Sequence, residues 1–245
     1  MINSILITLD TDWAPDFILS DVAEILSNKN IKATWFVTNN SIFLDSLKKN
    51  KLFEIGIHPN FESNSTHGED FDSVLNNLKQ IVPQAKSSRS HSLFQSSKLF
   101  QKFDKYGIEN DVSLFLPNSI NPPLHYLKFA NLYRFPFNWE ADIALREHDD
   151  LDINKYNLQG LQIFNFHPIH LYLNSNNLEL YEKLKTNIGI PNLTEKNIKK
   201  YVNPDHGVKT FFLELLNLIS NKQSYTIMDL QLIYKDALTN QMNKL

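Results

Sequence analysis

Short apolar segments alternate with amphipathic segments along most of the chain. The apolar segments are rich in Ile, Leu, Val and Phe and are bounded by polar or turn residues, a pattern that is typical of buried strands. We predict strands at residues 4–9, 33–37, 53–57, 85–88, 112–115, 132–135, 161–166 and 224–228.

The segments between these strands place apolar residues three and four positions apart, which is the spacing of one helix face. Residues 16–27, for example, carry Phe17, Val22, Ile25 and Leu26. Strands that alternate with helices indicate an α/β fold with a parallel sheet. We predict helices at residues 16–27, 41–49, 70–81, 96–106 and 208–218, and loops at residues 116–126 and 148–157.

Ionisable side chains follow several of the predicted strands at the point where each strand ends. Asp10 and Asp12 follow the first strand, and His58, Arg89 and His167 follow the third, fourth and seventh strands. The carboxyl ends of the strands in a parallel barrel meet on one face, where active sites are built. Five residues of types that carry charge, bind metals or move protons therefore predict a catalytic site on that face.

Composition narrows the possible classes of function. The chain has 245 residues, with 24 basic and 27 acidic side chains, so it offers no basic field for nucleic acid. It has no cysteine, and any bound metal must therefore be held by His, Asp or Glu. We expect one domain over residues 1–245.

The sequence also bears on the expected compartment. No apolar run approaches the roughly 20 residues of a membrane span. The apolar start of the chain is interrupted by Asp10 and Asp12, unlike a signal peptide. We expect a soluble, cytoplasmic protein.

Four short segments carry a family resemblance. They read TLDTDW at residues 8–13, EIGIH at 54–58, RSH at 89–91 and FHPIH at 166–170. Together they resemble the polysaccharide deacetylases, carbohydrate esterase family four with its NodB homology domain, and especially those of bacterial surface-polysaccharide (O-antigen) gene clusters. The resemblance implies an α/β fold of the incomplete or distorted (β/α) barrel type, with about seven β/α units.

The first segment resembles the family motif in which one aspartate is the catalytic base and the next binds a metal ion. The resemblance implies that Asp10 is the base and that Asp12 is a metal ligand. Thr11 stands between them where the family has adjacent aspartates, and this departure leaves the division of roles open.

The second segment resembles the motif whose histidine binds zinc or a similar ion, which implies that His58 is a ligand. The family's second histidine comes four residues later, where this chain has Glu62. His67 lies just before a predicted helix, which is where the family places that histidine. Asp12, His58 and His67 would make the three-ligand open site of a catalytic metal, with Glu62 and His91 as the alternatives to His67.

The third segment resembles the motif whose arginine orients the catalytic aspartate, a role that falls to Arg89. His91 replaces the proline of that motif, and we expect it to contact the substrate. A weaker likeness covers residues 133–142, where Trp139 is the expected apolar wall against an acyl methyl or a sugar face, with plain core as the alternative. Glu140 or Asp142 is the expected partner of Arg89.

The last segment ends a strand at His167, which corresponds to the family's catalytic histidine. The resemblance implies that His167 protonates the departing amine or stabilises the tetrahedral intermediate. His170 follows three residues later. We expect His170 to contact the substrate, with support of His167 or metal ligation as the alternatives.

These expectations combine into one hypothesis. The chain is a hydrolase that uses a divalent metal ion, expected to be zinc, to remove an N-acyl group, expected to be N-acetyl, from an amino sugar. Its expected partner is a small-molecule or lipid-linked sugar substrate. The alternatives are a metal-free C–N amide hydrolase on the same fold and a non-catalytic carbohydrate-binding relative, and the presence of a candidate base and acid argues against the latter.

Overall fold

The computed structural model of the chain describes residues 3–242, and its centre is one sheet. In that range the sheet runs in the order β6-β7-β5-β4-β3-β2-β1-β9-β8, and only β6 and β7 pair antiparallel. The strands are β1 (Ser4–Asp10), β2 (Ala33–Val37), β3 (Phe53–Ile57), β4 (Ser87–Ser88), β5 (Asn110–Asp111), β6 (His125–Leu127), β7 (Leu132–Arg134), β8 (Trp139–Glu140) and β9 (Leu161–Phe166).

Helices follow most of the strands, and each of the predicted helices is present, with its ends moved by at most three residues. Within residues 3–242, no helix combines the length and apolar character needed to cross a membrane. The helices are α1 (Asp16–Asn28), α2 (Leu44–Lys49), α3 (Phe71–Ile81), α4 (Ser97–Lys105), α5 (Ala141–Glu147), α6 (Pro168–Leu173), α7 (Glu179–Asn187), α8 (Glu195–Ile198), α9 (Val208–Ile219) and α10 (Ile227–Met242).

Both faces of the central strand β1 are buried. Ile5, Ile7 and Leu9 point to the side of the helices and join the larger apolar core, whereas Leu6 points to the other side and packs with Phe36. A parallel strand covered on both faces reads as a continuous apolar run. This is why the alternation of inner and outer positions is invisible in the sequence of β1.

One segment, residues 132–140, joins the two sides of the sheet. It pairs with β5 as β7, makes an isolated parallel bridge from Phe137 to Phe115, and then pairs with β9 as β8. The sheet is therefore curled into a distorted (β/α) barrel, as the sequence predicts. Two predictions need correction here. Of the strand predicted at residues 112–115, only Phe115 forms a β-bridge, and the loop predicted at residues 116–126 ends in the strand β6 (His125–Leu127).

The strand predicted at residues 224–228 is wrong, because helix α10 begins there. Thr226 and Asp229 cap this helix reciprocally: the Thr226 N–H donates to Asp229 Oδ2 (2.9 Å) and the Asp229 N–H donates to Thr226 Oγ1 (3.2 Å). Ile227 and Leu230 are fully buried in the interior cluster of the barrel. A helix that enters a core with its first turn is apolar there without showing helical periodicity, and the sequence therefore resembles a strand.

We expect the substitution Thr226→Ala to lower the free energy of unfolding by about 0.5–2 kcal/mol, because it removes the side-chain cap of α10. Urea unfolding followed by circular dichroism measures this change. Lys222→Ala, at an exposed position in the preceding loop, is the control and should leave the midpoint unchanged. An unchanged midpoint in Thr226→Ala would contradict the capping assignment.

Candidate active site

The carboxyl ends of four strands meet at one rim of the barrel. Asp10 is the last residue of β1, and His58, Arg89 and His167 directly follow β3, β4 and β9. Asp10, His58 and His167 line an open cleft of about 630 Å³, whose opposite wall is formed by residues of α5 and of α7 with its N-cap. The predicted convergence of these strand ends is therefore found in the structure.

Three side-chain atoms that could bind a metal ion lie together on one side of the cleft, one each from Asp12, His58 and His91. Asp12 Oδ1 lies 3.2 Å from His58 Nε2 and 3.3 Å from His91 Nδ1, and these two nitrogens are 3.2 Å apart. The triangle is nearly equilateral. Asp12 Oδ1 is buried and has no hydrogen-bond partner among the described residues.

A sharp turn after β1 directs Asp12 toward the two histidines. Asp12 and Trp13 both adopt left-handed backbone conformations, with φ of 42° and 59°. The Thr11 N–H donates to the Phe36 carbonyl (3.0 Å) and the Trp13 N–H donates to Thr38 Oγ1 (3.0 Å), which fixes the turn on both sides. Two adjacent non-glycine residues in this region are costly, and such strain is concentrated at functional sites. The turn is thus formed by Asp12 and Trp13, directly after Thr11.

His67 lies outside this triangle, and His91 takes the third position. His67 Nδ1 accepts a hydrogen bond from the Asn60 backbone N–H (3.0 Å). Its ring packs against Trp13 with 5.5 Å between centroids, and the ring of Trp13 also contacts His91 at 5.5 Å. His67 therefore lies behind the donor atoms, where burial and the neighbouring His58 lower its pKa to about 4. The other candidate, Glu62, is exposed on the same loop.

Asp10 is held on the floor of the cleft by a buried cation and a buried amide. Arg89 Nη1 lies 3.1 Å from Asp10 Oδ1, and Asn165 Nδ2 donates to Asp10 Oδ2 at 2.8 Å. The Arg89 guanidinium carbon lies 4.7 Å from the ring centroid of Phe36 and 4.3 Å from that of Phe137. Arg89 is fully buried and does not line the cleft, whereas its partner Asp10 does.

His167 faces Asp10 and Asp12 across the cleft. Its Nε2 lies 3.3 Å from Asp12 Oδ2 and 4.0 Å from Asp10 Oδ2. Its Nδ1 lies 2.9 Å from Asp142 Oδ1, which also lies 3.1 Å from His170 Nε2. The expectation that Glu140 or Asp142 pairs with Arg89 is therefore wrong for the described residues. Asp142 lies between two histidines, Glu140 makes no ion pair with Arg89, and Arg89 pairs with Asp10.

The charges in the cleft act on each other strongly. Burial lowers the pKa of His167, but the carboxylates of Asp142 and Asp12 raise it more, and it stands well above the ordinary value. Burial tends to raise the pKa of Asp12, but His167, His58 and His91 lower it more, and it stands well below the ordinary value. Burial raises the pKa of Glu140 to about 7, which leaves this carboxyl near half protonation at neutral pH. These shifts favour a protonated His167 beside ionised acidic neighbours.

Two residues expected to contact substrate lie away from the cleft. Trp139 is 6% exposed and packs against Phe164, Phe166 and Phe211, with ring centroids 4.9–5.4 Å apart. His170 is 1% exposed, and its Nδ1 is 3.0 Å from Ser175 Oγ. The structure thus places Trp139 in the core and His170 behind Asp142.

Two aspartates and three histidines that meet at one rim of a curled (β/α) barrel are groups that can bind a cation and transfer protons. The sequence profile described as "WbmS-like: Polysaccharide deacetylase" matches residues 7–185. The chain belongs to this WbmS-like polysaccharide deacetylase family.

Solved structures agree with this assignment. A Bordetella bronchiseptica protein, WbmS, assigned as a polysaccharide deacetylase involved in O-antigen biosynthesis, is 29% identical, with a TM-score of 0.80 over 87% of this chain and 90% of that one. Two structures share the fold alone. An assigned polysaccharide deacetylase from Mycobacterium smegmatis (12% identity, TM-score 0.58) covers 97% of this chain and 90% of its own, and the peptidoglycan deacetylase PdaC from Bacillus subtilis (10%, 0.55) covers 99% and 96%. Among curated protein sequences, none matches significantly.

Proposed function

We propose that this chain removes an N-acyl group, expected to be N-acetyl, from an amino sugar used in a bacterial surface polysaccharide, and that it needs a divalent metal ion, expected to be zinc. The observation that carries the metal requirement is the triangle of Asp12, His58 and His91. Three ligand atoms each about 2.1 Å from one ion in tetrahedral directions lie about 3.4 Å apart. The 3.2–3.3 Å edges of the triangle fit this spacing.

The chemistry of the donor set agrees with that fit. One carboxylate and two imidazoles are common zinc ligands, and three protein ligands leave a coordination position open for a catalytic ion. Asp12 Oδ1 is buried beside the two imidazole nitrogens, and a cation bound among the three atoms would offset the cost of burying this carboxylate. A bound ion would supply Lewis-acid activation of the acyl carbonyl and of the attacking water.

Asp10 and His167 supply the proton transfers. Asp10 faces the cleft beside the triangle and accepts the proton of the attacking water, while Arg89 and Asn165 hold its carboxylate from behind. His167 presents Nε2 to the cleft and gives a proton to the departing nitrogen. Asp142, at 2.9 Å from Nδ1, keeps the ring in the orientation that leaves Nε2 toward the substrate.

The test uses untagged protein that is stripped with a chelator and then reloaded with one equivalent of zinc. N-acetylhexosamines, their nucleotide-linked forms and a lipid-linked form are assayed for release of a primary amine. We expect amine release from at least one amino sugar, abolished by the chelator and restored by zinc. Release of acetate from O-acetylated sugars, with no amine released from any N-acetylated sugar, would identify an O-deacetylase instead. Full activity of the stripped protein would contradict the metal requirement.

The acid role of His167 predicts a dependence on the leaving group. An amine must be protonated as it leaves, whereas p-nitrophenolate leaves without a proton. We therefore expect His167→Gln to lower amide turnover about 10–100-fold more than turnover of p-nitrophenyl acetate. Both rates are measured on the same zinc-loaded preparation. Equal losses on the two substrates would show that His167 does not act as the acid.

A further inference from the structure

Asn165 is a fully buried amide on β9, two residues before His167. Its Nδ2 donates to Asp10 Oδ2 at 2.8 Å. Its Oδ1 accepts from Arg89 Nη1 and from Thr8 Oγ1, the latter at 3.1 Å. One side chain therefore contacts both members of the Arg89–Asp10 pair.

The chemistry of the partners fixes the orientation of this amide. A guanidinium can only donate hydrogen bonds and an ionised carboxylate can only accept them. The oxygen of Asn165 must therefore face Arg89, and the nitrogen must face Asp10. Thr8 secures the same arrangement, since its Oγ1 also accepts from Arg89 Nη1 at 2.9 Å.

Arg89 and Asn165 hold the carboxylate of Asp10 by different oxygens. Arg89 contacts Oδ1 and Asn165 contacts Oδ2, so the plane of the carboxylate is set by two directional contacts. With Arg89 alone, the carboxylate could rotate about its Cβ–Cγ bond and keep its ion pair. A misplacement of about 1 Å in a reacting group can lower a rate about 100-fold, so this rotation matters for a general base.

We infer that Asn165 is a positioning residue for the base: it holds the carboxylate of Asp10 in the orientation that accepts a proton from the attacking water. This inference rests on the proposed function, because it needs Asp10 to be the base. Asn165 lies on β9 and His167 directly follows this strand, so β9 sets the position of a residue that holds the base and of the acid.

The test is a double-mutant cycle between Asn165 and Asp10. Turnover of p-nitrophenyl acetate by the zinc-loaded protein is measured for the wild type, Asn165→Ala, Asp10→Asn and the double variant. We expect Asn165→Ala to lower kcat about 10–100-fold with little change in KM. In the Asp10→Asn background the same substitution should change kcat by less than about threefold, because the group it positions no longer accepts a proton.

The matched control is Asn138→Ala. Asn138 is a buried amide that also bridges chain segments: its Nδ2 donates to the Ser119 carbonyl (2.9 Å) and its Oδ1 accepts from the Ile163 N–H (2.8 Å), away from Asp10. Its removal should lower the melting temperature and have the same small effect on kcat in both backgrounds. Asn165→Ser introduces a shorter side chain whose hydroxyl can still donate a hydrogen bond, and its kcat should lie between those of the wild type and Asn165→Ala. If the alanine variant does not fold, the serine variant replaces it in the double-mutant cycle.

Two results would overturn the inference alone: unchanged kcat in both Asn165 variants, or equal losses in the wild-type and Asp10→Asn backgrounds, which would mark a purely structural role. Wild-type turnover in Asp10→Asn would instead remove the proposed base, and the inference with it. The kcat values of the four proteins in the cycle therefore distinguish a failure of the inference about Asn165 from a failure of the proposed base.

Discussion

Replacement of Asp10 by asparagine is expected to lower kcat by roughly 10²–10⁴-fold, the range for loss of a general base. Asparagine has nearly the same shape and still accepts a hydrogen bond from Arg89, but it cannot take a proton from water. Zinc affinity should stay within about threefold of wild type, because Asp10 is outside the Asp12–His58–His91 triangle. Steady-state kinetics and zinc titration of the same preparation measure both quantities.

The barrel offers a matched control in Asp111→Asn. Asp111 is another fully buried aspartate at a strand end, paired with Arg134 at 2.7 Å, but it does not line the cleft. Its substitution should lower stability and leave kcat nearly unchanged. If Asp10→Asn loses zinc while Asp12→Asn retains it, the roles of the two aspartates are reversed.

Replacement of His91 by alanine is expected to weaken zinc affinity by at least about 100-fold. Loss of a residue that merely supports a ligand costs about 10–100-fold, and loss of a ligand itself should cost more. His67→Ala should weaken affinity by no more than about 10-fold, because His67 contacts Trp13 and the loop at Asn60 and is not one of the three grouped ligand residues. Competition with a chromogenic chelator measures both affinities.

The comparison of these two variants separates the sequence-based expectation from the structure-based one. A large loss of affinity in His67→Ala with near-normal zinc binding in His91→Ala would restore His67 as the third ligand. Large losses in both would indicate that the loop carrying His67 moves when the ion binds. Glu62→Ala, on an exposed side chain of the same loop, is the control and should bind zinc as the wild type does.

The long strands are predictable from the sequence, because a continuous apolar run indicates each of them without information from the rest of the chain. Runs such as residues 4–9 and 161–166 are buried on both faces, and their ends set the rim where Asp10 and His167 lie. The two-residue strands β4, β5 and β8 depend on the curl of the sheet, which no short sequence pattern encodes. The start of α10 was missed because its apolar residues enter the barrel with the first helical turn.

The identity of the third residue in the triangle cannot be predicted without the tertiary structure. His67 and His91 both lie in loops at the rim, and sequence spacing cannot decide which ring reaches Asp12. In the structure, His67 contacts the Asn60 N–H and the ring of Trp13, and these contacts keep it away from Asp12. His91 follows Arg89 by two residues and lies at the rim beside His58. The family pattern places the second histidine near a helix start and so favours His67, whereas the structure groups His91 with Asp12 and His58.

The roles of two supporting residues, Asn165 and Asp142, are not predictable from the sequence, and the reasons differ. Asn165 has no titratable group, and the only signal was its position two residues before His167 on a strand whose alternate residues face the same side. The sequence indicates Asp142 as a candidate but not its partner, because α5 brings this carboxylate to His167 and not to Arg89. The sequence therefore predicts which ionisable residues lie at strand ends. The partners of these residues can be identified only from the three-dimensional structure.

The most direct test of the account is a crystal structure of the zinc-loaded protein with anomalous data collected at the zinc edge. The account predicts one peak within about 2.0–2.2 Å of a carboxylate oxygen of Asp12, a nitrogen of His58 and a nitrogen of His91. Asp10, Glu140 and His167 form a second group of possible ligands, with donor atoms within 4.8 Å of one another. A single peak among those three residues, or a peak bound by His67 in place of His91, would contradict the account.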